Sequence, residues 1–178
     1  MPRSKTNFIV IHCSLSKPSM NVDAKVIDRW HRERSWLKIG YARVIKRDGT
    51  IEQGRQDDEH QAHAVEINDI STSVCLVGGL SEDNINEDNF TSEQWESLKK
   101  LLTEWVIKYP DARIIGHYHV NPAKTCPNFD VDKYLQQEDI PNYKWSFGTV
   151  DEKEIEEFKK QDRAIPYPKE WLDPLGDE

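Results

Sequence analysis

The side chains of this sequence that are best suited to chemistry are metal ligands that follow apolar segments. His12 ends one apolar run, and His117 and His119 follow another. Cys126 lies in a polar loop that contains proline. Neutral imidazole and ionised sulfur suit zinc, and three protein ligands leave a fourth tetrahedral position for water. The sequence therefore predicts an open zinc site, and an open position favours catalysis over a structural role.

The histidines near the ends of apolar runs are the better candidates for ligands. A histidine at the end of an apolar strand is costly to bury without a partner, so a site role is favoured for His12. His117 and His119 would share one face of a continuing strand. Their spacing alone therefore does not choose between them.

Three other histidines have surroundings that favour other roles. His31 is expected on a helix surface, because most of its neighbours are charged. His60 ends the polar run Asp57-Asp58-Glu59-His60 and is expected in a solvated loop. His63 is ambiguous, and lining a pocket is one of its open alternatives.

The cysteines favour reduced thiols over a disulfide framework, because Cys13, Cys75 and Cys126 are odd in number and have no close pairing motif. Alternation along a strand turns Cys13 away from the face of His12, where it is expected in the core. Cys75 lies within an apolar run and is also expected in the core. Cys126 is therefore the thiol predicted to bind metal.

The charge balance argues against general binding to nucleic acid. The 178 residues carry a net charge of -8, whereas a nucleic-acid binder needs a basic stripe for phosphates. No run of about 18 apolar residues is present to cross a bilayer, and the first residues do not resemble a signal peptide. We expect a protein that is made in the cytoplasm, stays soluble and does not insert into a membrane.

Local patterns predict an α/β fold with the order strand, helix, hairpin, strand, helix, strand, helix. Asp48-Gly49 predicts a two-residue hairpin turn, because Gly tolerates positive φ. Thr91 and Gln94 predict a capping box at the start of the long helix. The predicted segments are 7–13, a helix that begins near Asn21 or Asp23, 43–47, 50–53, 73–77, a helix that begins at Thr91 and ends before Pro110, 112–116 and 129–137.

The C-terminal part of the sequence is acidic and differs from the rest. Residues 138–178 carry 12 acidic and 6 basic side chains, so they hold most of the net negative charge. Residues 151–160 are compatible with a charged helix. We predict one main domain over 1–139 and an acidic C-terminal extension of unassigned role over 140–178.

Several short motifs together carry a family resemblance. The motifs are, in order, Ile11-His12-Cys13-Ser14, Gly40-Tyr41, Lys46-Arg47-Asp48-Gly49-Thr50, Cys75-Leu76-Val77-Gly78-Gly79, and Gly116-His117 followed by Lys124-Thr125-Cys126-Pro127. Together they are similar to the zinc-dependent N-acetylmuramoyl-L-alanine amidases of the T7-lysozyme and peptidoglycan-recognition-protein type, over roughly residues 7–137. The resemblance implies a single domain with a central mixed β-sheet flanked by helices, and a zinc site in a groove at one edge of the sheet.

The resemblance also implies roles for individual residues. The family's three ligands for one Zn²⁺ ion correspond to His12, His117 and Cys126. Its catalytic tyrosine and lysine correspond to Tyr41 and Lys124. The resemblance thus selects His117 over His119, a choice that spacing alone left open.

Two further residues resemble substrate-binding positions of the family, and one motif departs from it. His63, within Gln61-Ala62-His63-Ala64, and Asn68 correspond to the substrate groove. After Gly40-Tyr41 the family usually has a histidine and an aromatic residue, whereas this chain has Ala42 and Arg43. A pocket contact is therefore expected to be missing or replaced.

The function implied is hydrolysis of the amide bond between N-acetylmuramic acid and L-alanine in peptidoglycan or muropeptides. A phage endolysin, made in the host cytoplasm and acting on the cell wall after release, is the favoured setting, and a monomer is expected. A bacterial recycling amidase is an alternative setting. Two alternative functions are a recognition module that binds peptidoglycan without cutting it, and an amidase that also inhibits a phage RNA polymerase.

Overall fold

The computed structural model describes residues 3, 5–144 and 147–161, and its elements follow the predicted order. Five strands, four α-helices and one short 3₁₀ turn are present among these residues. The elements are β1 (Phe8–Cys13), α1 (Ala24–Glu33), β2 (Arg43–Ile45), β3 (Ile51–Gln53), β4 (Ser71–Leu76), α2 (Ser92–Lys108), β5 (Arg113–Gly116), the 3₁₀ turn (His117–His119), α3 (Val131–Glu138) and α4 (Glu152–Gln161).

The five strands form one mixed sheet in the order β3-β2-β4-β1-β5. β1 is parallel to both β4 and β5, β2 is parallel to β4, and only β3 runs antiparallel to its neighbour. Ile11 of β1 pairs with Gly116 of β5. The residues that follow, His12 and His117, therefore leave adjacent strands at the same edge of the sheet.

Side-chain caps set the starts of the helices as predicted. The carboxylate of Asp23 accepts a hydrogen bond from the backbone N–H of Val26 at 2.9 Å and begins α1. Thr91 and Gln94 exchange the two hydrogen bonds of a capping box at the start of α2. The Gln94 amide also donates to the carbonyl oxygens of Ile45 and Val77, at 3.1 and 2.9 Å. This side chain therefore fixes α2 against the ends of β2 and β4.

The hairpin between β2 and β3 has a longer loop than predicted. Lys46 donates its backbone N–H to the carbonyl of Thr50, and Gly49 donates to the carbonyl of Lys46, both at 2.9 Å. Three residues therefore connect the paired ends, and Gly49 has φ of +87°. A three-residue loop whose last residue is a left-handed glycine is the next most common hairpin connection after the two-residue turn. The predicted two-residue turn was wrong.

The two faces of the sheet bury different sets of apolar side chains. Ile9 and Ile11 face α2 and α3, whereas Phe8 and Val10 face the 64–70 segment and α4, as period-two alternation requires. The confirmed fold class is therefore a single α/β domain with a central mixed sheet flanked by helices. In the part of the chain that the structure describes, no helix has the length and apolar character needed to span a membrane.

Helix α4 comes from the predicted acidic extension and packs on the second face of the sheet. Ile155 is buried in the same cluster as Phe8, and the rings of Phe8 and Phe158 lie edge to face at 5.5 Å. The Arg113 guanidinium lies 3.5 Å from the carboxylate of Glu154. The described part of the extension therefore contributes to the core, while residues 162–178 lie outside the described residues.

Candidate metal centre and active site

Three side chains of types that can bind a metal ion converge at the edge of the sheet where β1 and β5 end. The ligand atoms of His12, His117 and Cys126 all lie within 4.8 Å of one another, and all three residues are buried. His12 extends from β1, His117 follows β5, and Cys126 comes from the loop beyond the 3₁₀ turn. The sheet therefore fixes two of these residues, and the loop brings the third.

The geometry of this group fits zinc. With Zn–S near 2.3 Å and Zn–N near 2.0–2.1 Å, two ligands of one tetrahedral ion are separated by roughly 3.3–3.6 Å. The Sγ of Cys126 lies 3.6 Å from the Nδ1 of His12. Two imidazoles and a sulfur are also a donor set that zinc prefers. The residues present can therefore hold one zinc ion after small side-chain adjustments.

Backbone contacts hold Cys126 in place. Its Sγ accepts a hydrogen bond from the backbone N–H of Cys13 at 3.2 Å. Asn128, two residues later, donates its side-chain amide to the carbonyl of Gly79 at 2.7 Å. Gly79 has φ of +91°, and a Cβ there would come within 2.7 Å of the Sγ of Cys13. Glycine at position 79 therefore lets the backbone that receives the Asn128 hydrogen bond pack directly against Cys13.

Burial shapes the protonation of the candidate ligands. Burial raises the pKa of the Cys126 thiol well above its usual value, so a nearby cation is needed to stabilise its thiolate. Burial also lowers the pKa of His12 well below its usual value, and the neighbouring His117 and His63 add to this shift. A neutral His12 imidazole is the form that binds metal.

The end of β5 separates His117 from His119. The strand stops at Gly116, and a 3₁₀ turn follows, so the two histidines do not share a face. The ring of His117 lies 4.8 Å from that of His12. His119 instead accepts a hydrogen bond from the N–H of Gly116 at 2.9 Å through Nδ1, while its Nε2 lies 3.1 Å from the carboxylate of Asp132. His119 thus anchors the turn and takes no part in the metal group.

Tyr41 lies beside the candidate metal ligands and is deeply buried. Its ring centroid is 5.1 Å from that of His12, and the residue is fully buried just before β2. On the other side of the Tyr41 ring, the ring centroid of His31 lies 5.4 Å from that of Tyr41. Tyr41 is therefore packed between two imidazoles.

The structure contradicts the predicted positions of His31 and His60. His31 is fully buried on α1, and its Nδ1 accepts a hydrogen bond from Gly40. Its place four residues after Ile27, on the apolar stripe of α1, is the signal that could have revealed this. His60 is only 8% exposed, and its carbonyl accepts a hydrogen bond from the buried guanidinium of Arg55.

Lys124 lies in the loop between His117 and Cys126. Its backbone N–H donates to the carbonyl of Asn121 at 3.0 Å, which closes a turn in that loop. The residue is partly exposed, and its charge is close enough to His12 to contribute to the lowered pKa of that imidazole. The structure thus brings this lysine to the neighbourhood of the metal group.

His63 and Asn68, the two residues predicted to bind substrate, are both buried in the structure. His63 is fully buried behind His12, and its Nδ1 lies 2.8 Å from the Nε2 of His12. The Asn68 side chain is also buried, and its oxygen accepts hydrogen bonds from the backbone N–H groups of His63 and Ala64. Both residues support the site from behind because the 62–70 segment packs against the sheet.

The departure from the family motif after Tyr41 has a structural role on the far side of β2. The guanidinium of Arg43 pairs with the carboxylate of Asp57 and lies 5.9 Å from the ring centroid of Trp105. Asp57 also accepts hydrogen bonds from Trp105 and Lys108 of α2. Arg43 therefore links the sheet edge to α2 and adds no group to the metal site.

Comparison with known proteins identifies the family of this chain. Residues 2–129 match the family described as N-acetylmuramoyl-L-alanine amidase. The chain belongs to this amidase family. The amidase is 41% identical over 139 residues to the endolysin of Enterobacteria phage T3, and 41% identical over 138 residues to that of Escherichia phage T7. Each of these alignments covers 78% of this chain and 91% of the relative.

A solved structure supports the same assignment. The amidase resembles the N-acetylmuramoyl-L-alanine amidase LysC from Clostridium intestinale URNW with a TM-score of 0.67 and 28% sequence identity. The superposition covers 79% of this chain and 91% of LysC. Family membership together with the buried His-His-Cys group indicates that this amidase is an enzyme.

Proposed function

We propose that this amidase is an endolysin that hydrolyses the amide bond between the lactyl group of N-acetylmuramic acid and L-alanine in peptidoglycan. The observation that carries the proposal is the convergence of His12, His117 and Cys126 beside Tyr41. The endolysins of phages T3 and T7 support the setting. We propose synthesis in the cytoplasm of a phage host and action on the cell wall after release.

One Zn²⁺ ion is proposed to be held by His12, His117 and Cys126. When bound, it supplies Lewis-acid chemistry, which makes water a stronger nucleophile and polarises a carbonyl group near neutral pH. The burial of all three ligands limits competing solvent, and this strengthens electrostatic interactions in the site.

Tyr41 and Lys124 are proposed to stabilise the charge that develops during hydrolysis. Attack of water forms a C–O bond at the lactyl carbonyl and places negative charge on its oxygen. The Tyr41 hydroxyl would donate a hydrogen bond to that oxygen, and the Lys124 ammonium would add positive charge. The C–N bond then breaks, and a proton passes to the nitrogen, so that the stem peptide leaves with a free L-alanine amino terminus.

The two alternative functions make different demands on the same chain. A recognition module needs neither a complete set of metal ligands nor the catalytic residues. The candidate ligands His12, His117 and Cys126 and the candidate catalytic residues Tyr41 and Lys124 are all present, and this supports hydrolysis.

Contact with a phage RNA polymerase is a separate proposal, and we further propose that the enzyme acts as a monomer. A pull-down with a phage-type polymerase and sedimentation of the purified protein test these two points.

Release of amino termini tests the proposed hydrolysis. Purified peptidoglycan is treated with the zinc-loaded protein, and newly exposed L-alanine amino groups are labelled and identified. Chelator-treated protein and Cys126→Ser serve as controls, and a pelleting assay measures wall binding in every sample. New L-alanine amino termini that disappear in both controls support a zinc amidase. Wall binding without release would instead favour the recognition module.

A further inference from the structure

A line of buried hydrogen bonds extends behind the candidate metal centre. The Nε2 of His12 lies 2.8 Å from the Nδ1 of His63. The Nε2 of His63 lies 2.9 Å from the hydroxyl of Ser71, and this hydroxyl donates to the carbonyl of Ile67 at 2.6 Å. His12, His63 and Ser71 are all fully buried. These contacts form a continuous path from the Nε2 of His12, the ring nitrogen on the side away from Cys126, to the backbone of the 64–70 segment.

The end of this path fixes the direction of every hydrogen bond in it. A backbone carbonyl can only accept, so the single hydroxyl proton of Ser71 is used on Ile67. Ser71 must therefore accept from the Nε2–H of His63. A neutral His63 then carries no proton on Nδ1, and this nitrogen accepts from the Nε2–H of His12. The remaining nitrogen of His12, Nδ1, carries no proton and keeps its lone pair available as an acceptor or a metal ligand.

That lone pair lies on the side of the metal group. The Nδ1 of His12 is the atom 3.6 Å from the Sγ of Cys126. His63 is fully buried, and its two ring nitrogens contact an imidazole and a hydroxyl rather than a carboxylate, so its neutral form is favoured. The rings of His12 and His63 are nearly perpendicular, at 89°, with centroids 5.0 Å apart. His63 therefore restricts both the tautomer and the ring orientation of His12.

We propose that His63 is a positioning residue for the metal, which presents the Nδ1 of His12 to zinc, and that Ser71 orients His63 for this purpose. The inference rests on the proposed zinc site, but it does not require amidase activity. Histidine ligands of metals commonly donate a hydrogen bond from the N–H of their second ring nitrogen to a neighbouring group that does not touch the metal. Such neighbouring groups raise metal affinity. Here the neighbouring group is the imidazole of His63, and the hydrogen bond to Ser71 makes Nδ1 its acceptor atom.

Asn68 completes this arrangement from the backbone side. Its side-chain oxygen accepts from the N–H groups of His63 and Ala64 at 2.8 and 2.9 Å. His63 is thus held at two points: Asn68 binds its backbone N–H, and Ser71 binds its ring. This contact gives Asn68 a role in positioning His63.

Nitrogen-15 NMR of the zinc-loaded protein tests the tautomers directly. Long-range proton–nitrogen correlations of histidine side chains distinguish protonated, unprotonated and metal-bound ring nitrogens. We expect a proton on Nε2 and metal on Nδ1 for His12, and a proton on Nε2 with an unprotonated Nδ1 for His63. A proton on the Nδ1 of His63, or metal on the Nε2 of His12, would overturn the inference.

Zinc affinity of matched variants gives a second readout. His63→Leu removes the acceptor, whereas His63→Asn places an amide oxygen near the position of Nδ1. Competition with a chromophoric chelator should show zinc binding about 10- to 100-fold weaker in His63→Leu. In His63→Asn the affinity should return close to the wild-type value. Equal affinity of His63→Leu and wild type would refute the positioning role.

Two further measurements show whether weaker zinc binding in His63→Leu comes from the lost hydrogen-bond acceptor or from a loosened or unfolded core. Ile70→Val loosens the apolar cluster that the 64–70 segment forms on the sheet, a cluster that does not include His12, so its zinc affinity should be unchanged. Circular dichroism verifies that each variant is folded before titration. An equal loss in Ile70→Val would show that the effect comes from the core and would overturn the inference. Release of L-alanine amino termini by wild type is assayed separately, so failure of the proposed function does not alter the tautomer or affinity results.

Discussion

The Nδ1 of His31 accepts a hydrogen bond of 2.8 Å from the backbone N–H of Gly40, the residue that precedes Tyr41. His31 also packs against the rings of Trp36 and Tyr41, with centroid distances of 4.5 and 5.4 Å. Helix α1 thereby fixes both the backbone and the ring of the proposed catalytic tyrosine. This gives a residue without any direct chemical role an influence on the site.

Replacing His31 tests this influence. His31→Leu leaves the buried Gly40 N–H without its acceptor, which should lower the free energy of unfolding by about 1–3 kcal/mol. The kcat should also fall, because the ring of Tyr41 loses its packing against the imidazole of His31. His31→Asn, with an oxygen near the position of Nδ1, should recover part of both losses. Chemical denaturation and amino-terminus release measure the two effects, and unchanged stability in His31→Leu would contradict this account.

Tyr41 and Lys124 should affect turnover far more than metal binding. Tyr41→Phe removes one hydroxyl and Lys124→Ala removes one charge, and each should lower kcat by roughly 10²- to 10³-fold. Zinc content measured by atomic absorption should stay near one ion per chain. Lys133→Ala, which removes an exposed lysine of α3, is the matched control and should keep normal turnover. Wild-type turnover by either test variant would remove that residue from the mechanism.

The buried thiol of Cys75 should make stability depend on alkaline pH. Burial raises the pKa of Cys75 well above its usual value, and Cys13 adds to the shift. The folded protein therefore keeps this proton, while the unfolded chain releases it above a pH of about 8.5. Stability is fully present below that pH and is lost as the pH rises, by up to about 1.4 kcal/mol per pH unit.

The contribution of Cys75 can be isolated by comparing slopes. The free energy of unfolding of the zinc-loaded protein is measured by denaturation between pH 8 and pH 10 for wild type and Cys75→Ala. The variant should lose stability less steeply, whatever its absolute stability. Parallel curves would mean that this thiol does not contribute to the alkaline loss.

Helix α4 should contribute to global stability. Ile155→Ala removes a buried side chain that packs on the second face of the sheet, and should lower the free energy of unfolding by about 2–4 kcal/mol. Ile107→Ala is the control, since Ile107 is 68% exposed, and it should change stability little. Deletion of 141–178 should destabilise at least as strongly as Ile155→Ala. A fully stable deletion protein would show that the extension is dispensable for the fold.

Local patterns in the sequence predicted most of the fold. The β-branched run before His12 indicated β1, and Thr91 with Gln94 indicated the start of α2, because these signals depend on neighbours within four residues. The hairpin was also predicted, although its turn holds three residues. The choice between a two- and a three-residue loop depends on strand pairing across Lys46 and Thr50, which the turn residues alone do not determine.

The surroundings of the site were harder to predict than its ligands. The contact between His12 and His63 joins residues 51 positions apart, and it arises only when the 62–70 segment packs on the sheet. No short pattern reports such a contact. His31 was misplaced for a different reason: its charged neighbours outweighed the helical spacing from Ile27. Both histidines illustrate that burial of a polar residue depends on partners distant in the chain.

His12 and Cys126 are separated by 114 positions in the chain. A growing polypeptide therefore gains the full set of proposed zinc ligands only after nearly the whole family domain has left the ribosome. In the unfolded chain, bringing such distant residues together costs loop entropy, so the ion binds chiefly to folded molecules. Free zinc should then slow proteolysis of newly made chains. Metal supply would set how much enzyme accumulates, in addition to how fast each molecule works.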